Sequence, residues 1–491
     1  MRWSTKCLAA LPALCIACGS TGPAPTASAI LMAPALPSTH DWPTFNRDVS
    51  RSGVSPDPTG ITAANIASMR RQQVRLEGTV DSAAIYLHGI SVLDTTHNAF
   101  FVTTTYGKTI AIDADDGSVL WTYMPTNFNS WAGSAQVTTA APAADDDRRA
   151  IYAASPDGHI QKLSVANGRV EWRTSITRLP EREKIASPLT FVKGKVIAVT
   201  GGYIGDAPPY QGHVAVLDAA TGRLEHVWNS LCSDRTGLLA PRDCPESASG
   251  IWGRAGAVIE PATGNFFVET GNAKWDGKKY WGDSTIGLDP SATRMVVNYT
   301  PSNTERLNET DGDLGSTSPA LLGGGVLAQG GKDGSIRLLS VNRIRGTEPH
   351  RGGELQSVAT PSGRDLFTAP AVLHEGSSTW MFAADNGATA AWTLIDARLQ
   401  QQWKNDTAGT SPLIAGGLLY VYNPHGGLHV YEPKTGKAIA TLECGGGHWN
   451  SPIVVDGRIA LPEGNSNSHA TSGVLNIWRL PHMPSAGGTE D

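Results

Sequence analysis

One repeated phrase constrains the fold of this chain more than any other feature. It runs from a glycine through alternating aliphatic residues to a turn that carries Gly, often after Asp or Asn, and it ends on a large apolar residue. Clear copies are Gly107–Trp121, Gly158–Trp172 and Gly212–Trp228, and Gly426–Leu442 follows the scheme without its tryptophan. The alternation and the turn residues predict a β-hairpin for each copy. Because one hairpin cannot bury its apolar face alone, we expect the copies to stack against one another.

Two further short strands accompany each hairpin, and the first often begins with Ser-Pro or Ala-Pro, as at residues 187, 318, 369, 411 and 451. A spacing of about 35–65 residues between such units is typical of propeller blades. The last unit lacks an outer strand, and Gln72–Leu76 lies before the first unit. We therefore expect an all-β, eight-bladed propeller of four-stranded antiparallel blades, closed by this N-terminal strand. The predicted blades are residues 80–124, 136–176, 184–229, 251–301, 314–346, 366–405, 408–443 and 445–481.

The composition agrees with a ring of many tight turns. The 491 residues include 54 glycines and 31 prolines, and long helical periodicity is absent. We expect one short helix, near Thr62–Arg70, with Thr62 as its cap. The formal net charge of −6 gives no electrostatic footprint for binding nucleic acid.

The N-terminus has the pattern of an export signal. Arg2 and Lys6 precede the short apolar run Cys7–Ala17, which is too short to span a bilayer. The run ends in a sequence that resembles a bacterial lipobox, which predicts lipidation of Cys18, although Cys15 stands where that pattern usually has leucine. The alternative is an ordinary secretory signal cut near Ala29. The predicted segments are a signal peptide (1–18), a flexible tether (19–40), the propeller (41–481) and a disordered tail (482–491), in a periplasmic protein whose only link to a membrane is the N-terminal lipid.

Two cysteines bracket a polar loop. An oxidising periplasm would let Cys232 and Cys244 pair as a disulfide, and the alternative is two separate thiols. Cys444 is then left over and is interpreted as a small buried residue without chemistry. The chain contains no C-x-x-C-H phrase, so it has no attachment site for a c-type haem.

The repeats and the opening segment Asp41–Leu76 resemble the quinoprotein alcohol dehydrogenase-like propellers, whose repeats are named for pyrroloquinoline quinone (PQQ). This resemblance covers nearly the whole chain after the signal. It implies a PQQ-dependent dehydrogenase that oxidises an alcohol or other hydroxyl compound and passes electrons to a separate acceptor. Similar repeats also serve non-catalytic proteins, notably the outer-membrane lipoprotein that helps insert β-barrels. An envelope lipoprotein that holds a protein partner is therefore the alternative.

The most specific part of the resemblance is Ser249–Asp276. It contains a Trp-Gly pair and then a Thr-Gly-Asn phrase followed by Trp-Asp, in the order found in the dehydrogenases. The resemblance implies that Trp252 is the floor on which the planar quinone stacks and that Asn272 offers an oxygen to a calcium ion. The alternatives are a tryptophan packed between blades and an asparagine that satisfies its own turn.

Three charged residues complete the implied site. Lys332, in a Lys-Asp-Gly stretch, is similar to the cation that contacts the reactive carbonyls of the quinone. Asp311 and Asp313 lie where the family places its general base, but the flanking histidine and tryptophan of that motif are missing. Either aspartate can take a hydroxyl proton from a substrate, and the alternative is that both cap a turn. The alternative for Lys332 is an exposed turn lysine.

The chain also departs from the family. The stretch Gly201–Val214 contains no glutamate where the family has a metal ligand, and Asp206 is the nearest carboxylate. Either Asp206 replaces that glutamate, or calcium does not bind. The adjacent cysteine pair that closes over the cofactor in many members is missing. Two long insertions, Asn229–Gly250 and Ala273–Gly282, are expected on one rim.

Overall fold

Eight antiparallel sheets of four strands follow one another along the chain, which confirms the predicted propeller. The computed structural model describes residues 40–481. The predicted signal peptide, Cys18, residues 19–39 of the tether and the tail at 482–491 lie outside the described residues. Within residues 40–481, no helix has the length and apolar character needed to cross a membrane.

The strands are grouped here by blade. The ring-closing strand is β1 (Arg70–Leu76), and blade 1 has β2 (Ile85–Val92), β3 (Thr95–Thr103), β4 (Thr109–Asp113) and β5 (Val119–Tyr123). Blade 2 has β6 (Ala143–Ala144), β7 (Ala150–Ser155), β8 (His159–Ser164) and β9 (Val170–Ser175). A separate pair, β10 (Glu183–Lys184) and β13 (Gly201–Gly202), flanks blade 3, which has β11 (Thr190–Val192), β12 (Lys195–Val199), β14 (His213–Asp218) and β15 (Leu224–Asn229). Blade 4 has β16 (Val258–Ile259), β17 (Phe266–Glu269), β18 (Thr285–Leu288) and β19 (Met295–Tyr299).

The remaining blades follow the same order. Blade 5 has β20 (Ala320–Gly323), β21 (Val326–Gln329), β22 (Ser335–Ser340) and β23 (Gln356–Ala359). Blade 6 has β24 (Ala371–Glu375), β25 (Ser378–Ala384), β26 (Thr389–Ile395) and β27 (Arg398–Asn405). Blade 7 has β28 (Leu413–Ala415), β29 (Leu418–Tyr422), β30 (Leu428–Tyr431) and β31 (Ala438–Leu442), and blade 8 has β32 (Ile453–Val455), β33 (Arg458–Glu463) and β34 (Gly473–Arg479).

Contacts between neighbouring blades explain the tryptophan and the turn glycine of the repeat. The indole of Trp121, from blade 1, lies on Gly168 in the last hairpin turn of blade 2, and its Nε1 donates to Val165 O at 2.9 Å. A Cβ at Gly168 would lie 2.5 Å from the indole, and the φ of +69° also favours glycine. Each such tryptophan therefore fastens its blade to the next one. The same arrangement joins Trp172 to Gly222 and Trp403 to Gly436.

The ring closes as expected. Strand β1 pairs with β34 from Arg70 opposite Arg479 to Leu76 opposite Gly473, so the N-terminal strand is the outer strand of blade 8. Val74 then lies against Gly117, the turn glycine of blade 1, in the place that a tryptophan takes between other blades. Strand β1 thereby covers the outer edge of β34, which would otherwise be unpaired.

Two local predictions were wrong. The outer strand of blade 5 is β23, beyond the predicted end at residue 346, because residues 341–355 replace the usual tight turn with a long connection. The predicted helix is only a 3₁₀ turn, Ile66–Ser68, and Thr62 does not cap it; the side chain of Asn65 instead accepts from Thr62 N at 2.7 Å. The other helices are α1 (Thr304–Glu309) and 3₁₀ turns at Phe128–Ser130, Pro241–Asp243, Leu314–Ser316 and Ser466–Ser468.

The segment before β1 crosses the inner strands of the ring. Its backbone forms hydrogen bonds with the first strands of blades 1, 2, 4, 6 and 7, through Trp42, Pro43, Val49, Ser52 and Gly53. Phe45 is fully buried in a cluster of small apolar residues from several blades, Ala83, Ala141, Ala255 and Ala369 among them. Since the first strands of neighbouring blades line the axis, this segment lies across the central channel.

Candidate functional site

Five of the six residues that the resemblance implied for the quinone and its reaction meet beside blades 4 and 5. Trp252 lies before β16, Asn272 follows β17, and Lys332 follows β21. Asp311 and Asp313 lie between α1 and β20. Because these loops end or begin strands of two adjacent blades, residues far apart in the sequence come into contact.

Lys332 is the centre of the cluster. Its Nζ lies 2.9 Å from Asp311 Oδ1 and 2.6 Å from Asp313 Oδ2. The same ammonium lies 5.3 Å from the centroid of the Trp252 ring, within the range of a cation–π contact. Asn272 ties the two aspartates together, because its backbone N donates to Asp313 Oδ1 at 2.6 Å and its Nδ2 donates to Asp311 Oδ1 at 2.9 Å.

A glycine allows this close approach. A Cβ at Gly271 would lie 2.6 Å from Asp313 Oδ1 and 3.3 Å from Trp252 Nε1. The backbone at Gly315 also packs closely against the backbone of Gly271, since a Cβ at Gly315 would lie 2.6 Å from Gly271 N. The Thr-Gly-Asn phrase therefore has a steric role here, because it lets Asp313 reach both Asn272 and Lys332.

Burial sets the protonation of the cluster. Asp313 is 5% exposed, and burial raises its pKa, while the charge of Lys332 offsets part of the effect. Burial would lower the pKa of Lys332, but the carboxylates of Asp313 and Asp311 outweigh it and raise that pKa. The side chain of Asp311 is 69% exposed, so the two aspartates are not equivalent.

Two buried acids behind the cluster were missed from the sequence. Asp283 accepts from Leu314 N at 3.0 Å, its other oxygen has no hydrogen-bond partner among the described residues, and burial raises its pKa to about 8. Burial also raises the pKa of Glu269, on β17, well above its ordinary value. The signal for Glu269 is a charged residue at the end of an otherwise apolar strand, whereas Asp283 follows an insertion without a motif.

Asp206 lies apart from the cluster. Its carboxylate is exposed and accepts from the Tyr210 hydroxyl at 2.9 Å. Across residues 40–481, no hydrogen bond or ion pair joins Asp206 to Asn272 or Lys332. Burial raises the pKa of the Tyr210 hydroxyl. The negative charges of Asp206, Asp313 and Asp311 raise that pKa further.

The donors present do not fit a calcium ion. Calcium takes about 6–8 oxygen ligands, usually with several carboxylates. In the described part of the chain, no group of three or more His, Cys, Asp or Glu side chains is placed to hold a metal ion. The carboxylates of Asp311 and Asp313 already bind the ammonium of Lys332. Asn272 Oδ1 is buried without a hydrogen-bond partner among the described residues, so it can accept a hydrogen bond from a ligand.

The surroundings do fit a flat aromatic acid such as PQQ. The half-buried Trp252 has Phe367 at 6.1 Å between ring centroids, and Phe367 has Trp449 at 5.2 Å. The guanidinium of Arg254 lies 5.4 Å from the Trp449 ring. These aromatic and cationic side chains give a planar ligand apolar contacts and an anionic ligand counter-charges.

Phe367, Trp449 and Arg254 were also missed from the sequence. Phe367 and Trp449 each stand two residues before an Ala-Pro or Ser-Pro pair that begins the first strand of a blade. The position two residues before such a pair is therefore a signal in the sequence that could have pointed to these two aromatic residues.

The two rim insertions pack on one another. Cys232 and Cys244 form a disulfide, as predicted, and they share a buried cluster with Ala273 and Tyr280 of the second insertion. The backbone of Ser249 donates to Asn272 O at 2.9 Å, so the first insertion ends against the site. Cys444 is half-buried, and burial raises the pKa of its thiol to about 11.

The known proteins that resemble the chain belong to two classes, the BamB proteins and the quinone-dependent alcohol dehydrogenases. The family described as outer membrane protein assembly factor BamB matches residues 74–237. The dehydrogenase subunit of the quinone alcohol dehydrogenase of Gluconobacter oxydans is 22% identical over 303 residues, which cover 53% of this chain and 37% of that protein. The BamB of Bordetella pertussis is 25% identical over 360 residues, which cover 72% of this chain and 77% of that protein. The chain spans only 38% of a polyvinylalcohol dehydrogenase of Pseudomonas sp and 31% of the quinohemoprotein ADH IIB of Pseudomonas putida.

Solved structures share the fold. The quinohemoprotein alcohol dehydrogenase ADHIIG of Pseudomonas putida HK5 has a TM-score of 0.67 at 14% identity, over 92% of this chain and 82% of that one. A europium-containing methanol dehydrogenase has a TM-score of 0.66 at 15% identity, over 90% of this chain and 99% of that one. The repeats, the eight closed blades and these similarities together confirm that the chain resembles the quinoprotein alcohol dehydrogenase-like, PQQ-repeat β-propellers.

Proposed function

We propose that this protein is a periplasmic, PQQ-dependent dehydrogenase that oxidises an alcohol or another hydroxyl compound and passes the electrons to a separate acceptor. The observation that carries the proposal is the convergence of Trp252, Asn272, Asp313 and Lys332. When bound, PQQ supplies a two-electron acceptor for the substrate carbon. Export, and a lipid on Cys18, belong to the same proposal.

Each residue has a role that follows from its surroundings. Trp252 provides the flat surface under the ligand. The ammonium of Lys332 stabilises negative charge that develops on a ligand oxygen, in a site from which water is partly excluded. Asp313 takes the proton of the substrate hydroxyl, because its buried carboxylate has a raised pKa and is fixed by Asn272 N and Lys332. The exposed Asp311 holds Lys332 and Asn272 in position.

Calcium has no part in this proposal. The positive charge that a metal would bring is supplied by Lys332, and Asp206 has no ligand role. Asn272 Oδ1 then accepts a hydrogen bond from the bound molecule and does not coordinate a cation.

The test is turnover of the purified mature protein. The protein is incubated with PQQ in a chelator-treated buffer, with and without added calcium, and the alcohol-driven reduction of a dye is followed for primary alcohols, diols and sugar alcohols. We expect turnover that calcium does not raise, and loss of turnover in Asp313→Asn. The matched control is Asp406→Asn, an exposed aspartate between blades 6 and 7 that lies outside the cluster. Absence of turnover with every hydroxyl compound would count against the dehydrogenase.

A second candidate function is a non-catalytic scaffold in the envelope. The observation that favours it is the alignment with the BamB of Bordetella pertussis, which covers most of both chains. In that case, deletion of the gene lowers the amount of β-barrel proteins in the outer membrane, and the double variant Lys332→Met/Asp313→Asn restores it fully. Under the dehydrogenase proposal, the deletion leaves these barrels unchanged.

A further inference from the structure

We infer that His40 and His88 form a binding site for one divalent transition-metal ion, such as Zn²⁺ or Cu²⁺, at the seam where the ring closes. His88 belongs to β2 of blade 1, and His40 lies in the segment that enters the ring. Asp456, in the turn between β32 and β33 of blade 8, contacts both imidazole rings. The site is separate from the Lys332 cluster and does not depend on the proposed function.

The backbone brings the two histidines level with each other. Trp42 and Tyr86 form an antiparallel bridge, in which Trp42 N donates to Tyr86 O at 2.8 Å and Tyr86 N donates to Trp42 O at 2.9 Å. Two residues before Trp42 is His40, and two residues after Tyr86 is His88, so the antiparallel register places them opposite each other. Facing residues of such a pair have Cβ atoms about 4.5–5.5 Å apart, which lets their side chains reach one ion.

Asp456 fixes the orientation of both imidazoles. His40 Nδ1 lies 2.7 Å from Asp456 Oδ1, and His88 Nδ1 lies 2.8 Å from Asp456 Oδ2. The Tyr86 hydroxyl donates to the same Oδ2 at 2.9 Å. Because a carboxylate only accepts hydrogen bonds, each neutral ring carries its proton on Nδ1 and keeps the lone pair of Nε2 for a metal. A histidine that binds a metal usually has such a carboxylate on its other nitrogen.

Both Nε2 atoms are open to an ion. Neither forms a hydrogen bond with any described residue, and the side chains of His40 and His88 are 47% and 49% exposed. The two ring centroids lie 5.5 Å apart, with 37° between the ring planes. Two imidazoles that bind one ion at about 2.0–2.1 Å and at a tetrahedral angle have their centroids about 5 Å apart. Small rotations of these exposed rings therefore bring both nitrogens onto one ion.

Ligand type and charge select the metal. Imidazole nitrogen suits Zn²⁺, Cu²⁺ and Ni²⁺, whereas Ca²⁺ and Mg²⁺ take oxygen ligands. The oxygens of Asp456 already accept from the two rings, so the protein supplies two ligands and water fills the other positions. The neighbouring arginines are paired, Arg148 with Asp41 at 2.8 Å and Arg458 with Asp115. The carboxylate of Asp456 is thus the excess charge of the site, and it attracts a cation.

The position of the site defines what the ion does. It links the entering segment to blade 1 and, through Asp456, to blade 8. Asp456 lies between the first and second strands of its blade, whereas the Lys332 cluster is formed by loops before first strands and after second strands. These two sets of loops lie at opposite ends of antiparallel strands. The ion therefore stabilises the closure of the ring and does not touch the cluster.

The site is tested by calorimetric titration of the full mature protein, produced without a histidine tag, with Zn²⁺ at neutral pH. We expect one Zn²⁺ per chain. Asp456→Asn should raise the Kd by about 10–100-fold, the usual effect of removing a carboxylate behind a histidine ligand, and His40→Gln and His88→Gln should each raise it by at least that factor. Both histidines are exposed, so these two variants keep the test valid should Asp456→Asn fail to fold.

The matched control is His97→Gln. His97 Nδ1 lies 2.6 Å from Asp113 Oδ2, so this histidine has the same pairing with a carboxylate. In the described part of the chain, however, no second imidazole ring is in contact with it. We expect the Kd of Zn²⁺ in this variant to equal that of the wild type.

Cu²⁺ supplies a spectroscopic readout. The electron paramagnetic resonance spectrum of the Cu²⁺-loaded wild type should show coupling to two imidazole nitrogens, and each single histidine variant should show coupling to one. Zn²⁺ should also raise the midpoint of thermal unfolding of the wild type but not of His88→Gln. The inference is overturned if the wild type binds neither ion, or if the double variant His40→Gln/His88→Gln binds both ions as the wild type does.

Discussion

Lys332 and Asp313 form a 2.6 Å ion pair beside the indole of Trp252, with the aspartate almost fully buried. The pair joins blade 5 to the loop in front of it, and Asn272 of blade 4 completes it from the other side. A buried pair of this kind costs most when only one partner is removed, because the other charge is left without compensation.

We therefore expect Lys332→Met to lower the free energy of unfolding by about 3 kcal/mol or more. Asp313→Asn, which keeps the shape and leaves the largely buried ammonium of Lys332 paired with Asp311, should cost less. The double variant should recover part of the loss in Lys332→Met. Urea unfolding of the four proteins in a double-mutant cycle measures the coupling. Strictly additive effects would show that the pair contributes no coupling energy.

Asp283 gives the protein a pH-dependent stability. Its pKa is about 8 in the folded protein and 3.8 in the unfolded chain, so the folded state binds the proton more tightly. Stability is then fully present below about pH 4 and declines as the pH rises toward 8, by about 1.4 kcal/mol for each pH unit in which the two states differ by one proton. Asp283→Asn removes this group and keeps an acceptor for Leu314 N. Urea midpoints between pH 5 and 9 should fall for the wild type and stay flatter for the variant, and parallel curves would rule out this role.

The tryptophan–glycine contact between blades also has a matched test. Gly168→Ala places a Cβ 2.5 Å from the Trp121 ring at a φ of +69°, whereas Gly194→Ala has a similar φ of +75° with nothing within 4 Å. The backbone cost, about 1–2 kcal/mol, is common to both variants. The clash should add about 1–3 kcal/mol for Gly168→Ala alone. Equal unfolding free energies for the two variants would mean that the indole moves aside without cost.

The local part of the fold could be predicted because each blade is a short unit with its own turn signal. The hairpin repeat located the blades, and Gln72–Leu76 was identified as the closing strand. The predicted boundary of blade 5 lay too early in the chain, because residues 341–355 carry no turn signal before β23. Thr62 does not act as a cap because the 3₁₀ turn begins only at Ile66, after Asn65, and the backbone N of Asn65 donates to Thr62 O.

The site was only partly predictable. Trp252, Asn272 and Lys332 could be named as candidates because they stand in short phrases of the family order, and the structure brings them together. Arg254 and Asp283 stand in no such phrase, and their surroundings exist only after distant loops meet. Arg254, for example, contacts Asp81 and Trp449, which lie in the first and the last blade. Periodicity along the chain cannot report a contact that ring closure creates.

The central claim is that the cluster around Lys332 holds PQQ without a divalent metal. Its most direct measurement is equilibrium titration of the mature protein with PQQ in a buffer freed of divalent ions by a chelator, followed by tryptophan fluorescence and by the PQQ retained per chain after gel filtration. We predict saturable quenching with one PQQ per chain, unchanged by added calcium and lost in Trp252→Ala but not in Trp403→Phe. Absence of retained PQQ in the wild type, or retention only when calcium is present, would contradict the account.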